Sequence, residues 1–184
     1  MQSMTDAPPR SAIARFDRSF GQRFLLTVDT EEEFDWEAPL TRDRHGVAHV
    51  ERIATFQAFC ESEGVVPVYL VDWPIAQSHR AAEILRAPLA SGKAEIGVQL
   101  HPWVSPPFEV DVTPGNSFAG NLPRDLEAAK FRNLRDAIED HFQVAPRIYR
   151  AGRYGIGASS AANGACSAPS NTNGSTVRSR TAPS

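Results

Sequence analysis

The stretch LLTVDTEEEFDW, residues 25–36, joins an apolar segment to a dense run of acidic residues. Leu25, Leu26 and Val28 predict a strand that is buried in the interior. Five carboxylates follow within seven positions, namely Asp29, Glu31, Glu32, Glu33 and Asp35. Crowded carboxylates repel one another and raise each other's pKa unless a cation lies between them. The stretch therefore raises the question of what neutralises so much negative charge at the end of a strand.

Three further strand-like segments alternate with helical patterns along the chain. Apolar runs predict strands over 23–29, 65–71, 94–100 and 147–152, and amphipathic periodicity predicts helices over 49–64, 79–92 and 123–142. Strands that alternate with helices favour parallel pairing through right-handed crossovers. The pattern thus predicts an α/β sheet or barrel, in which ligands bind beyond the carboxyl ends of the strands.

Composition is typical of a globular protein of one domain. The chain has 184 residues, of which 41% are hydrophobic and 22% are charged, and its formal net charge is -3. This balance predicts neither a nucleic-acid partner nor binding to an anionic membrane. The run 65–71 contains Pro67 and is too short to span a bilayer, so the cytoplasm is the expected compartment. Cys60 and Cys166 give no disulfide framework, and Cys60 is expected in the core.

The chain divides into three predicted regions. Residues 1–22 lack the apolar core of a signal peptide and are predicted to form a mobile leader. Residues 23–157 carry the α/β pattern. Residues 158–184 consist mainly of Ser, Ala, Asn, Thr, Gly and Pro, with Val177 as the one large aliphatic residue. Such a segment cannot bury enough apolar surface to fold, so a disordered tail is predicted.

Polar clusters follow the first, third and fourth predicted strands. The first strand ends at Asp29-Thr30-Glu31, the third at Gln99-Leu100-His101-Pro102-Trp103, and the fourth at Arg150-Ala151-Gly152-Arg153-Tyr154. Each cluster has an ordinary interpretation: an exposed loop acid, a loop histidine satisfied by the backbone, a surface arginine or a core tryptophan. For the outer acids Glu32, Glu33 and Asp35 a solvated loop is the favoured interpretation. Three clusters at three strand ends nevertheless favour a shared site with a divalent metal.

The segments FLLTVDTEEEFDW, AEIGVQLHPWVSPPFE and YRAGRYG, in this order and spacing, resemble the polysaccharide deacetylase family (NodB homology, carbohydrate esterase family 4). The similarity covers about residues 23–157. It implies a partial distorted (β/α) barrel that hydrolyses N-acetyl or related C–N bonds of carbohydrates. The implied partner is an N-acetylated polysaccharide or oligosaccharide. The implied cofactor is a divalent metal, zinc in the first place, with cobalt or nickel as alternatives.

The resemblance also implies roles for individual residues. Asp29 matches the general base of the family's first motif. Thr30 occupies the position of the metal-binding acid, so either Glu31 takes that role or Asp29 itself binds the metal. His101 is the expected histidine ligand, and Gln99 stands where the family has a second histidine.

The third motif implies that Arg150 or Arg153 orients the base and that the backbone N–H of Tyr154 helps to hold the oxyanion. Residues expected to contact substrate are Trp36, Gln99 and Trp103.

Three interpretations remain open at this stage. The family's late motifs, which supply a histidine general acid, have no counterpart in this sequence. This motivates the hypothesis of a truncated or out-of-frame deacetylase product with impaired activity. An alternative is a non-catalytic carbohydrate-binding or regulatory fragment. A third possibility is a chain without a stable fold, since half a barrel leaves strand edges unpaired.

Overall fold

The computed structural model describes residues 9–154, and its centre is a curled parallel sheet. The strands are β1 Thr27–Thr30, β2 Val68–Val71, β3 Glu95–Leu100 and β4 Tyr149–Ala151. They lie side by side in the order β1-β2-β3-β4, with every neighbouring pair parallel. The prediction of an α/β half-barrel is confirmed at this level.

Helices connect the strands in the expected alternation. They are α1 Ile53–Ser62, α2 Trp73–Ala76, α3 His79–Ala90 and α4 Arg124–Phe142. A 3₁₀ turn over Ala48–Arg52 leads into α1. The Ser78 side chain accepts from the Ala81 N–H and thereby caps α3. The short helix α2 was not predicted from the sequence, and Asp72 caps it through its side chain.

The two faces of the sheet have different roles because successive side chains of a strand point to opposite sides. Ile96, Val98 and Leu100 of β3 belong to the hydrophobic core that the helices cover. In α4, Leu134, Ile138 and Phe142 recur at every fourth position and are completely or almost completely buried against that core. The opposite face of the sheet carries polar residues at the carboxyl ends of the strands. The polar side chains at the strand ends therefore lie on the concave side of the sheet, and the helices pack on the convex side.

A side-chain contact demonstrates how strongly the sheet curls. Arg150 in β4 donates to Asp29 Oδ1 and, through Nη2, to Thr27 Oγ1 at 2.7 Å. Both acceptors lie in β1, at the opposite edge of the sheet. Neighbouring strands lie about 4.8 Å apart, so a flat sheet would separate β1 from β4 by roughly 14 Å. The curl brings the two edges within the reach of one arginine side chain.

The long segment 101–122, which follows β3, is held by a buried lysine. Lys130 of α4 is 1% exposed and donates to the carbonyl oxygens of Pro102, Ser105 and Pro107 at 3.0, 2.6 and 2.7 Å. Burial and the nearby charge of Arg42 lower the pKa of Lys130 to about 8. The ammonium form still dominates at neutral pH and can satisfy three carbonyl groups at once.

Several predicted boundaries differ from those of the structure. The first strand begins at Thr27 rather than at residue 23. The prediction that Leu25 is buried is wrong, because Leu25 is 65% exposed and its neighbour Phe24 is 81% exposed. Cys60 is buried in α1, as predicted. The tail 158–184 and Cys166 lie outside the described residues.

Residues 9–22, from the predicted leader, form two short 3₁₀ turns. No helix within residues 9–154 has both the length and the apolar character that a membrane crossing requires.

Candidate functional site

His101 is the centre of the polar residues at the strand ends. It follows β3 directly and is 1% exposed. Its ring stacks on Trp103 with a centroid distance of 4.4 Å and an interplanar angle of 20°. Gly152 approaches it from the end of β4 so closely that a Cβ there would collide with His101 Cδ2. The imidazole is therefore clamped between an indole and a backbone segment that has room only for glycine.

The two ring nitrogens of His101 face two different sets of carboxylates. Nδ1 lies 2.7 Å from Glu32 Oε2 and 3.7 Å from Asp72 Oδ2. Nε2 lies 3.3 Å from Glu31 Oε2. The side chains of Glu32 and Asp72 are sealed from solvent, whereas that of Glu31 is 28% exposed. One histidine thus connects a buried acid pair to an acid that solvent can reach.

The buried acid pair is fixed by backbone hydrogen bonds. The Glu32 N–H donates to Asp72 Oδ2 at 2.8 Å, and Asp72 Oδ1 accepts from the Ile75 N–H at 3.1 Å in the first turn of α2. The interpretation of Glu32 as a solvated loop acid is wrong, because its side chain is buried against His101 and its N–H is bonded to Asp72. Asp72 was missed, although it is the first polar residue after β2 and obeys the rule that pointed to the other strand ends.

The other two outer acids behave as loop residues. Glu33 accepts from the N–H groups of Ala48 and His49, and Asp35 accepts from the N–H of Glu37.

The electrostatics of this group stabilise a charged imidazole. Burial lowers the pKa of His101, but hydrogen bonds to Glu31 and Glu32 and the charges of Glu32 and Asp72 outweigh it and raise the pKa to about 10. Burial raises the pKa of Glu32, but its hydrogen bonds with His101 and Asp72 leave the pKa below its ordinary value. Burial and the proximity of Glu32 hold the pKa of Asp72 well above its ordinary value. At neutral pH an imidazolium therefore pairs with the Glu32 carboxylate.

The same group can hold a metal ion. One ligand atom each from Glu32, Asp72 and His101 lies within 4.8 Å of the others. Glu32 Oε1 is buried and has no hydrogen-bond partner among residues 9–154, so an acceptor is left over for a cation. Two carboxylates and one imidazole match the ligand chemistry of zinc and other divalent transition metals. The predicted ligand His101 belongs to this group, whereas Asp29 and Glu31 lie outside it.

An open cleft of about 150 Å³ lies on the solvent side of His101. It contains most of the predicted site residues, because its lining consists of Asp29, Glu31, Trp36, Gln99, His101, Arg150, Ala151 and Arg153. The guanidinium of Arg150 contacts the carboxylate of Asp29 directly. The indole of Trp36 is 59% exposed and packs on Phe34 at a centroid distance of 4.2 Å.

Arg153 lines the cleft but is bonded outside it, and two further predicted residues, Trp103 and Tyr154, are not part of the lining. Arg153 donates through Nη1 to Ser117 Oγ at 2.9 Å, and its guanidinium lies 4.7 Å from the centroid of the Phe118 ring. Trp103 is 4% exposed and supports His101 instead of lining the cleft. Tyr154 closes a 3₁₀ turn with its backbone, and its side chain is outside the described part of the structure.

Comparisons with protein-family models, with curated proteins and with solved structures found no match to this chain. Its functional interpretation therefore depends on the residues at the strand ends.

Proposed function

We propose that this chain is a metal-dependent hydrolase of C–N bonds with a fold of the polysaccharide deacetylase type, acting on N-acetylated polysaccharides or oligosaccharides. One observation carries the proposal. A histidine backed by buried carboxylates opens onto a cleft that also holds an acid, Asp29, paired with an arginine, Arg150. A metal ligand, a base and a residue that orients the base are three components of metal-assisted amide hydrolysis.

The cleft side of His101 is the side on which hydrolysis can take place. Glu32 and Asp72 are sealed, so a metal ion among them would be out of reach of a sugar. His101 Nε2 and Glu31 face the cleft and would hold a catalytic metal there, while Glu32 fixes the ring at Nδ1. Carboxylates commonly orient metal-binding histidines in this way. When bound, a divalent metal such as zinc, cobalt or nickel polarises the acetyl carbonyl and acidifies a water molecule.

Asp29 would act as the general base. Its carboxylate takes one proton from the attacking water while the water oxygen forms a bond to the carbonyl carbon. As the C–N bond breaks, the protonated Asp29 returns its proton to the departing nitrogen, and the carbonyl group leaves as acetic acid, which ionises to acetate in solution. Arg150 would hold the carboxylate in place through its guanidinium. Asp29 thus first accepts and then donates the same proton.

A second candidate function is carbohydrate binding without hydrolysis. The exposed indole of Trp36, supported by Phe34 at the edge of the cleft, favours it. A broad aromatic surface beside a polar cleft suits the apolar face of a sugar ring. The two candidates share the cleft and differ in whether Asp29 performs chemistry.

Acetate release separates the candidates. The protein would be incubated with an acetylated chito-oligomer in the presence of zinc or cobalt, beside Asp29→Asn and His101→Ala variants. We expect wild-type protein to release acetate, Asp29→Asn to bind metal without releasing acetate, and His101→Ala to lose metal. Binding of the oligomer by metal-loaded wild type without acetate release would favour the carbohydrate-binding function. Equal metal content in all three proteins would contradict the site itself.

A further inference from the structure

Gln99 carries a buried acceptor that the fold does not use. The residue lies near the end of β3, in register with Arg150 of β4, and is 3% exposed. Its side chain lines the cleft, and Oε1 has no hydrogen-bond partner within residues 9–154. A buried acceptor without a donor costs about 1–3 kcal/mol and is uncommon in native proteins. Such an atom at the wall of a cleft indicates that a ligand supplies the donor.

The cationic donors of the cleft are engaged elsewhere. Arg150 directs Nη1 to Asp29 and Nη2 to Thr27. Arg153 directs Nη1 to Ser117. Neither guanidinium donates to the Gln99 oxygen, although both line the same cleft. No group among residues 9–154 donates to the Gln99 oxygen, so a molecule that occupies the cleft can supply the donor.

We propose that Gln99 Oε1 accepts a hydrogen bond from the N–H of the substrate's acylamino group, which makes the cleft selective for amides over esters. This inference rests on the proposed function, because it names the bond type that the same cleft recognises. An amide R–CO–NH–R′ offers an N–H donor next to the scissile carbonyl. The corresponding ester offers an oxygen there, whose lone pairs would face those of Gln99.

The expected size of the preference follows from hydrogen-bond selectivity. A site built to pair with a substrate N–H discriminates against an analogue without it, since the buried group of the protein then stays unpaired. For one bond to an uncharged acceptor we expect a preference of at least about tenfold. Replacing Gln99 with an apolar residue of similar size should abolish the preference.

The test compares a matched pair of probes, 4-nitroacetanilide and 4-nitrophenyl acetate, in wild type and in Gln99→Met. We expect the ratio of kcat/KM for amide over ester to fall at least about tenfold in Gln99→Met. Gln99→Glu keeps an acceptor at the same place, so its amide-over-ester ratio of kcat/KM should fall less than that of Gln99→Met. A ratio that is the same in wild type and Gln99→Met would overturn the proposal.

Two further measurements distinguish a substrate-binding Gln99 from a structural or a metal-binding one. Removing an unpaired acceptor should leave the Tm of the unliganded protein unchanged or higher, so a lower Tm in Gln99→Met would assign Gln99 a structural role and contradict the proposal. Loss of zinc binding in Gln99→Met would make Gln99 a metal ligand and also contradict it. If wild type releases no acetate from the acetylated chito-oligomer and hydrolyses neither probe, the proposed function fails. The role of Gln99 is then tested by binding of acetamide and of methyl acetate, measured by tryptophan fluorescence in wild type and Gln99→Met. Wild type should bind acetamide in preference to methyl acetate, and Gln99→Met should lose that preference.

Discussion

Protonation of His101 should make the stability of this protein fall as the pH rises above neutrality. The pKa of His101 is raised from 6.5 to about 10 by its carboxylate partners. In the unfolded chain those partners are absent, and the imidazole loses its proton near its ordinary pKa. A folded pKa above the unfolded one means that this contribution is fully present below about pH 6.5 and is lost as the pH rises through about 10.

The expected magnitude follows from the number of protons bound. Between about pH 7 and about pH 9 the folded protein keeps nearly one more proton on His101 than the unfolded chain does. Each pH unit then lowers the free energy of unfolding by up to about 1.4 kcal/mol, so the loss over this interval is about 2.5 kcal/mol. Lys130 acts in the opposite direction, since its folded pKa of about 8 lies below its unfolded value. The effect of His101 must therefore be measured as a difference between proteins.

Urea unfolding followed by circular dichroism gives that difference. Wild type, His101→Gln and the control His45→Gln would be measured at about pH 7 and about pH 9 in the presence of a chelator, because a bound metal would displace the proton. His45 is an exposed histidine outside the acidic group. We expect the stability advantage of wild type over His101→Gln to shrink by about 2.5 kcal/mol between the two pH values, with no such change relative to His45→Gln. An advantage that stays constant within about 0.5 kcal/mol would refute a protonated His101.

Three other substitutions test separate contacts. Lys130→Met leaves three carbonyl oxygens without their donor, so we expect a loss of about 3 kcal/mol in urea unfolding and faster proteolysis within 101–122. Gly152→Ala forces a Cβ against His101, so we expect it to lower the free energy of unfolding by about 2 kcal/mol and to weaken metal binding. The control Gly115→Ala meets only an ordinary contact at 3.8 Å and should lower it much less. Equal effects of the two substitutions would contradict the tight fit at Gly152. Arg150→Lys keeps the charge but cannot contact Asp29 and Thr27 at the same time. We therefore expect acetate release to fall at least about tenfold while substrate binding changes little. Full activity would exclude Arg150 as the residue that orients Asp29.

The strand ends were predictable because the rule behind them is topological. Parallel strands bring their carboxyl ends to one edge, so Asp29, His101 and Arg150 could be grouped without coordinates. Asp72 obeys the same rule and was missed because a single acid is a weaker signal than the polar clusters at the other three strand ends. Its local role is to cap α2.

The inward turn of Glu32 could not be derived from sequence. The neighbouring acids cannot be distinguished from it in the sequence, and contacts with distant residues determine which of them is buried. The Glu32 N–H meets an aspartate 40 positions away, and its carboxylate meets a histidine 69 positions away. Trp103 illustrates the same limit, because its indole packs inside against His101 and against Phe34, which is distant in the sequence. The local sequence pattern predicted which segments lie near the candidate site, and long-range contacts determine the position of each side chain there.

The contact of Arg150 with β1 has a consequence for how the protein matures. Asp29 and Arg150 are separated by 121 positions, so the ribosome delivers the acids well before it delivers their guanidinium partner. Until β4 joins the sheet, Asp29 lacks its guanidinium partner. Assembly of the sheet and placement of the Asp29 carboxylate against Arg150 are then one event, which cannot occur in the nascent chain before the fourth strand has docked.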